Sequence, residues 1–329
     1  MKIVDIQFYN FNPKFKQPIV TPKVAMTHRT TLIVGLIDEN GKEWFGEANV
    51  FETDWYYEET IDTVKNDIMQ WFIKVKNESF SHFEDCIERL ESLNHVPAAR
   101  ATLMMALYPM FHDLPIFKVE PVQTINGDFN QRVLNLNHIA RLKLKWSQNI
   151  LEQVHMIRTI YPDVPISLDA NRTLNKGDDA TLKALWKEEI AYIEEPFEQL
   201  TRLHEDMRVP PVAIDESAIS LERILQLIES YPISVVVLKP FRLGGIDRTL
   251  LAMQRLQGQG VKVVIGGMYE TALSRYYTAW LSRYGDFAGD IPPHGYYFEH
   301  DLCETSGQLQ QGVLTFAPPK VDRKQLMPD

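Results

Sequence analysis

The sequence reads as an α/β protein, a (β/α)8-type barrel preceded by an N-terminal α+β capping domain. From about Pro121 the chain alternates short β-rich runs with amphipathic stretches, the texture of repeated βα units with parallel strands. These runs recur every two dozen residues or so, room for one strand, one helix and two short loops per unit. A count of about eight favours a closed barrel over an open sheet. Ahead of them, three strand candidates and three helical stretches make up a smaller unit of their own.

In the smaller unit, Lys2 to Phe8 and Thr31 to Asp38 read as strands, and Asn40-Gly41 is a hairpin signal leading into Glu43 to Glu47. A three-stranded antiparallel sheet follows. Tyr57 to Lys76, Ser81 to Leu93 and Pro97 to Met110 carry apolar residues at three- and four-residue steps and are expected to pack on it as helices. The barrel strands are then Val122 to Ile125, Arg141 to Lys145, Pro165 to Asp169, Ala191 to Glu195, Val212 to Asp215, Ser234 to Lys239, Lys262 to Gly266 and Gly285 to Ala288. These readings divide the chain into a capping domain over residues 1–115, a barrel over 116–300 and a segment over 301–329 that returns to the cap.

Composition narrows the class of function. Apolar residues at 45% and charged residues at 24% suit a chain that buries a sizeable interior. A formal net charge of -10 argues against nucleic acid as a partner, since that needs clustered Lys and Arg. No stretch approaches the roughly 18 apolar residues of a membrane span, and the N-terminus lacks a basic segment followed by an apolar run. Cys86 and Cys303 stand far apart, without CxxC spacing, so neither a zinc cluster nor a disulfide framework is expected. A reducing cytoplasm is the expected setting; self-association as a homo-oligomer is left open.

In such a barrel, polar residues at the C-terminal strand ends face the site mouth. Here those ends are ionic: Lys143-Leu144-Lys145, then Asp169-Ala170-Asn171, Glu194-Glu195-Pro196, Asp215-Glu216-Ser217 and Leu238-Lys239-Pro240. Carboxylate oxygens are hard ligands of the kind that hold Mg²⁺. Three acids brought to one partly buried spot without a cation would repel, so Asp169, Glu194 and Asp215 are the expected ligand set, for Mg²⁺ or alternatively Mn²⁺. Alternation along a strand sends Lys143 and Lys145 to one side and Leu144 to the other. Lys145, nearer the strand end, is the expected general base, with Lys239 approaching from across the barrel. A base, a metal and an opposing cation suit removal of a proton α to a carboxylate, with the metal and Lys239 stabilising the enediolate.

Each motif alone has an ordinary structural reading. Lys-X-Lys is usually a solvated strand edge, Asp-Glu-Ser a helix cap, Glu-Glu-Pro a loop start and Asp-Ala-Asn an Asx turn. Their order at consecutive strand ends, lysine, acid, acid, acid, lysine, is what tips the balance toward function.

That order resembles the muconate-lactonising-enzyme branch of the enolase superfamily over nearly the whole chain. Within the branch, Gly266-Gly267-Met268-Tyr269-Glu270-Thr271 is similar to the Gly-Gly-Met-x-Glu-Thr signature of o-succinylbenzoate synthases and N-acylamino acid racemases. The resemblance implies Mg²⁺ on Asp169, Glu194 and Asp215, Lys145 as acid/base, Lys239 as the cation on the other face and Lys143 as an auxiliary lysine. It also implies supporting polar roles for Asn171 and Ser217, and backbone N–H groups of Gly267 and Met268 that hold a substrate carboxylate. The alternative for the glycines is a plain turn leaving the strand. A mobile cap loop from Phe15 to Arg29 would offer Thr21, His28 and Arg29 to a small-molecule carboxylate substrate.

The implied reaction is syn dehydration of 2-succinyl-6-hydroxy-2,4-cyclohexadiene-1-carboxylate to 2-succinylbenzoate, a hydro-lyase step of menaquinone biosynthesis. The sequence departs from the family at the cap-to-barrel connector, where Tyr108 to Pro115 replaces a Leu-Leu-Gly-Gly-like turn. Two rivals stand beside this reading. One is an N-acylamino acid racemase or dipeptide epimerase, in which both Lys145 and Lys239 carry protons; the other is a non-catalytic barrel that only binds.

Overall fold

A computed structural model describes the chain except residues 22, 126–128, 135, 137, 204–206 and 304–305, with backbone alone at 130–131. The first strands are β1 (Ile3–Phe11), β2 (Lys14–Val20), β3 (Ala25–His28), β4 (Thr31–Asp38) and β5 (Glu43–Glu47). β1, β4 and β5 form the expected antiparallel sheet in that spatial order. Its hairpin works as Asn40-Gly41 implies. Gly41 takes φ +78°, open to glycine, and the Asp38 carboxylate accepts the N–H groups of Asn40 and Lys42.

The segment read as a cap loop is instead the β2–β3 hairpin. Its base is tied down: Phe15 is buried against the rings of Tyr269 and Phe298, and the Lys16 N–H donates to Tyr297 O at 2.8 Å. Strand alternation there is hard to see in sequence, because only Phe15 of β2 is buried.

Three helices cover the sheet: α1 (Ile61–Val75), α2 (Phe83–Leu90) and α3 (Pro97–Phe111). Thr60 and Thr63 form a reciprocal cap that starts α1. α3 is buried nearly all round, between sheet and barrel. Its Pro109 has no N–H for the Met105 carbonyl four residues back, and the Tyr277 hydroxyl supplies that hydrogen bond at 3.1 Å. The helix therefore survives its proline by leaning on the barrel.

The barrel part runs β6 (Phe117–Val119), β7 (Val122–Ile125), α4 (Phe129–Val133), β8 (Arg141–Lys145), α5 (Ile150–Ile160), β9 (Ile166–Asp169), α6 (Asp179–Trp186), β10 (Tyr192–Glu194), β11 (Val212–Ile214), α7 (Leu221–Ser230), β12 (Ile233–Leu238), α8 (Pro240–Leu243), α9 (Ile246–Gly258), β13 (Lys262–Ile265) and α10 (Ala272–Ser282). Strands β7 to β13 lie side by side in chain order, every pairing parallel. Tyr192, Ala213, Val235, Val237 and Val264 fill the interior beneath the strand ends.

The eighth expected strand, Gly285 to Ala288, is not a regular strand. That segment follows β13 through the Asp286 N–H on Val263 O (2.8 Å), the Asp290 N–H on Ile265 O (2.9 Å) and a bridge between Gly266 and Asp290. The physical reason is a substitution in the ladder: the Val263 N–H donates to the Asp286 carboxylate at 2.8 Å instead of to a backbone carbonyl. Beyond it, β14 (Gln308–Gln310) and β15 (Val313–Phe316) join β6 in a small antiparallel sheet, and β16 (Met327–Pro328) adds to the edge of β1.

Candidate active site

The site grows from β8. Its alternation turns Leu142 and Leu144 into the apolar layer under the helices and leaves Arg141, Lys143 and Lys145 on the opposite face. Parallel register then sets Lys145 beside Asp169 and Asp169 beside Glu194, so the acids that close β9 and β10 are neighbours. Asp215 follows β11, and Lys239 follows β12. The structure thus sets Lys143 beside Asp169 and Glu194, and Lys239 beside Asp215.

Their pairing is specific. The Lys143 ammonium donates to Glu194 at 2.9 and 3.1 Å and to Asp290 at 3.0 Å, and lies 3.7 Å from Asp169. The Lys239 ammonium donates to Asp215 at 2.7 Å, and Arg242 donates to the same carboxylate at 3.0 Å and to its backbone carbonyl at 2.7 Å. Lys145 is exposed, with no hydrogen bond or ion pair among the described residues.

These contacts set the charges. Burial opposes the Lys143 ammonium, yet Asp290, Glu194 and Asp169 together hold its pKa well above the ordinary lysine value. Lys239, only 6% exposed, is likewise raised: burial is outweighed by Asp215. Burial also acts on Asp215, but Lys239 and Arg242 overcome it and keep this acid below the usual carboxylate range. Glu194, 2% exposed, goes the other way. Burial raises it, and Asp169, Asp215 and Asp290 add to the rise against the pull of Lys143.

Several further residues were given no site role by the sequence reading. Asp290 and Arg141 complete the Lys143 flank: Arg141 donates to Asp290, to Ala288 O and to the Ser167 hydroxyl. Glu195 lies behind Glu194 at φ +42°, accepting the N–H groups of Asp215 (3.0 Å) and Ser217 (2.7 Å) and the Arg172 guanidinium. Glu-Glu was the available signal, since alternation lets only one of the pair face inward. Glu47 and Glu270 are buried where cap meets barrel. Glu47 accepts from the N–H groups of Thr271 and Ser274 and from the Thr271 hydroxyl, so a cap residue supplies acceptors at the start of α10.

The remaining expected site residues fall as follows. The Asn171 N–H donates to Asp169 at 3.3 Å, an Asx turn made by backbone. Ser217 bonds Glu195 and Arg172 through its hydroxyl. A Cβ at Gly267 would stand 2.1 Å from a Glu270 carboxylate oxygen, so a side chain there would have to displace Glu270, and Met268 packs against the cap core. Thr21 closes the hairpin turn by accepting from the N–H groups of Lys23 and Val24, and exposed His28 pairs with Thr27. Arg29 corrects the expectation of a loop contact. It is 1% exposed, donates to Thr30 O and Val50 O, and lies 4.1 Å from the centre of the Phe51 ring.

A metal fits the chemistry of the donors: three hard carboxylates close adjacent strands, and burial, with neighbouring acids adding to it, raises Asp169 and Glu194, a cost that a cation relieves. The side chains do not converge as a ready ligand set, and no such group of acidic, His or Cys residues occurs among the described residues. The reason lies in the pairing, because Lys143 draws Glu194 while Lys239 and Arg242 draw Asp215.

Residues 128–319, more than half of the chain, match the family described as Enolase C-terminal domain-like, and the chain belongs to that family. Among particular relatives, it is 24% identical to the o-succinylbenzoate synthase of Bacillus subtilis (strain 168), covering 96% of this chain and 92% of that one. It is 26% identical to the N-succinylamino acid racemase of Thermus thermophilus, over 88% of this chain and 85% of the other. In fold, it is similar to an enolase-superfamily protein of Enterococcus faecalis V583 (TM-score 0.82, 24% identity, 100% and 95% covered). The muconate lactonizing enzyme of Pseudomonas putida is also similar (TM-score 0.77, 18% identity, 100% and 98% covered). No helix among the described residues is long and apolar enough to cross a membrane.

Proposed function

We propose that this chain is a hydro-lyase with o-succinylbenzoate synthase activity, converting 2-succinyl-6-hydroxy-2,4-cyclohexadiene-1-carboxylate to 2-succinylbenzoate and water. The observation that carries the choice is the inequality of the flanking lysines: Lys145 is exposed and unpaired among the described residues, whereas Lys239 is buried and clamped by Asp215 at 2.7 Å. One mobile amine and one fixed cation suit elimination, which needs a single proton carrier; racemisation needs two. The naming of several relatives as o-succinylbenzoate synthases supports the same choice.

Asp169, Glu194 and Asp215 would hold Mg²⁺, or Mn²⁺ in its place, and the ion would supply Lewis-acid stabilisation of the substrate carboxylate. Lys145 takes the proton α to that carboxylate and, as its ammonium, returns it to the departing hydroxyl on the same face. The Lys239 ammonium, fixed by Asp215, balances negative charge developing on the enediolate from the other face. Aromatisation makes the loss of water downhill.

The reading as N-acylamino acid racemase is favoured by two relatives, of Thermus thermophilus and Amycolatopsis sp, named as N-succinylamino acid racemases. Assay of the purified protein with Mg²⁺ separates the two. Conversion of the cyclohexadiene to its aromatic product is expected to far outpace racemisation of N-succinylamino acids and to stop with excess chelator. The opposite ranking, or dehydration indifferent to chelator, overturns the proposal.

A further inference from the structure

Asp290 has no place in the roles assigned so far, yet it has a defined one in the structure. It sits where the closing segment meets β13, its N–H on Ile265 O. One carboxylate oxygen accepts from Arg141 and the other from Lys143 at 3.0 Å. Arg141, fully buried, is itself immobilised by Ala288 O at 2.8 and 3.0 Å and by the Ser167 hydroxyl at 2.6 Å. Asp290 therefore hangs from a fixed guanidinium and presents its free side to the lysine.

The Lys143 ammonium divides its donors between this carboxylate and Glu194. Glu194 and Asp169 belong to the trio read above as a divalent-ion site, and an ammonium held against the same carboxylates repels and competes with such an ion. A lysine whose partners would otherwise be two of the ligands is better held beside a metal when a carboxylate outside the ligand set carries its charge. Among the described residues, Asp290 is the remaining acid paired with it.

We infer that Asp290, suspended from Arg141, is a positioning residue that anchors Lys143 so that the lysine and a divalent ion at Asp169, Glu194 and Asp215 occupy the site together. Metal affinity then depends on a lysine–aspartate pair as well as on the ligands. This rests on the reading of the trio as a cation site, and the test distinguishes the two.

Mg²⁺ alone is titrated calorimetrically into the substrate-free full chain. Asp290→Asn, which leaves the lysine only ligand carboxylates, is expected to weaken Mg²⁺ binding by about tenfold or more, and Asp290→Glu to restore it to within about threefold. In a Lys143→Met background the ammonium is gone and Arg141 balances the aspartate, so Asp290→Asn is expected to change affinity by about threefold at most. Asp290→Ser replaces the asparagine variant should that one not fold. Equal weakening in both backgrounds, or none in the parent, overturns the inference while leaving the metal site standing. Absence of Mg²⁺ binding to the parent overturns the cation site and this inference with it.

Discussion

The β8 and β12 flanks of the site both end in a lysine, and their surroundings could hardly differ more. On β12, Lys239 is enclosed by Asp215, by Arg242 and by the Tyr56 ring centred 5.8 Å away. On β8, Lys143 takes the half-buried, paired position and Lys145, one alternation further, emerges exposed. From sequence, Lys145 is the expected base and Lys239 the opposing cation, although spacing alone does not exclude two proton carriers. The structure leaves Lys145 exposed and buries Lys239 in an ion pair with Asp215, the asymmetry that the proposed dehydration would use.

The largest effect expected from breaking the comparison is at Lys145. Lys145→Ala should lower kcat by about a thousandfold or more with an unchanged melting temperature, because the side chain has no partner among the described residues to lose. Near-normal turnover would remove it as the base. Lys239→Met should cost about a hundredfold in kcat through lost charge stabilisation, while Asp215 keeps Arg242 as a partner. If this variant instead keeps kcat and only raises KM, Lys239 binds ground state and transition state alike.

A smaller effect, in stability, comes from the cap–barrel contact near the β12 flank. Burial pushes the Glu47 carboxyl up from 4.5 to about 7. The folded state therefore holds a proton that the unfolded chain releases between pH 4.5 and about 7, and stability falls as pH rises through that window. Glu47→Gln should flatten this slope, so that the melting-temperature advantage of the parent over the variant is greater at pH 5 than at pH 8. An advantage that grows with pH would show Glu47 to be stabilised as the anion.

Much of this was legible in sequence because strand alternation and strand ends are local. β7 and β8 are where hydrophobic pattern and turn residues put them, and the acids and lysines at the ends of β8 to β12 need no distant contact to be found. Asp290 escaped because its segment pairs through the Asp286 side chain, so the expected strand ended two residues short at Ala288. Arg29 looked like an exposed loop residue; its burial depends on Phe51 and Val50, which only the cap fold brings beside it. Which cation sits among which carboxylates was likewise out of reach. Pairing across strands is decided by side-chain reach and by competition among charges, neither of which leaves a periodic trace.

The division of labour between the lysines can be measured most directly by proton NMR of each enantiomer of an N-succinylamino acid incubated with the Mg²⁺-supplemented protein in D₂O. A free Lys145 facing a clamped Lys239 predicts α-deuterium uptake by one enantiomer at most, and none with Lys145→Ala. Comparable uptake by both enantiomers would mean that Lys239 also carries protons, which contradicts the account.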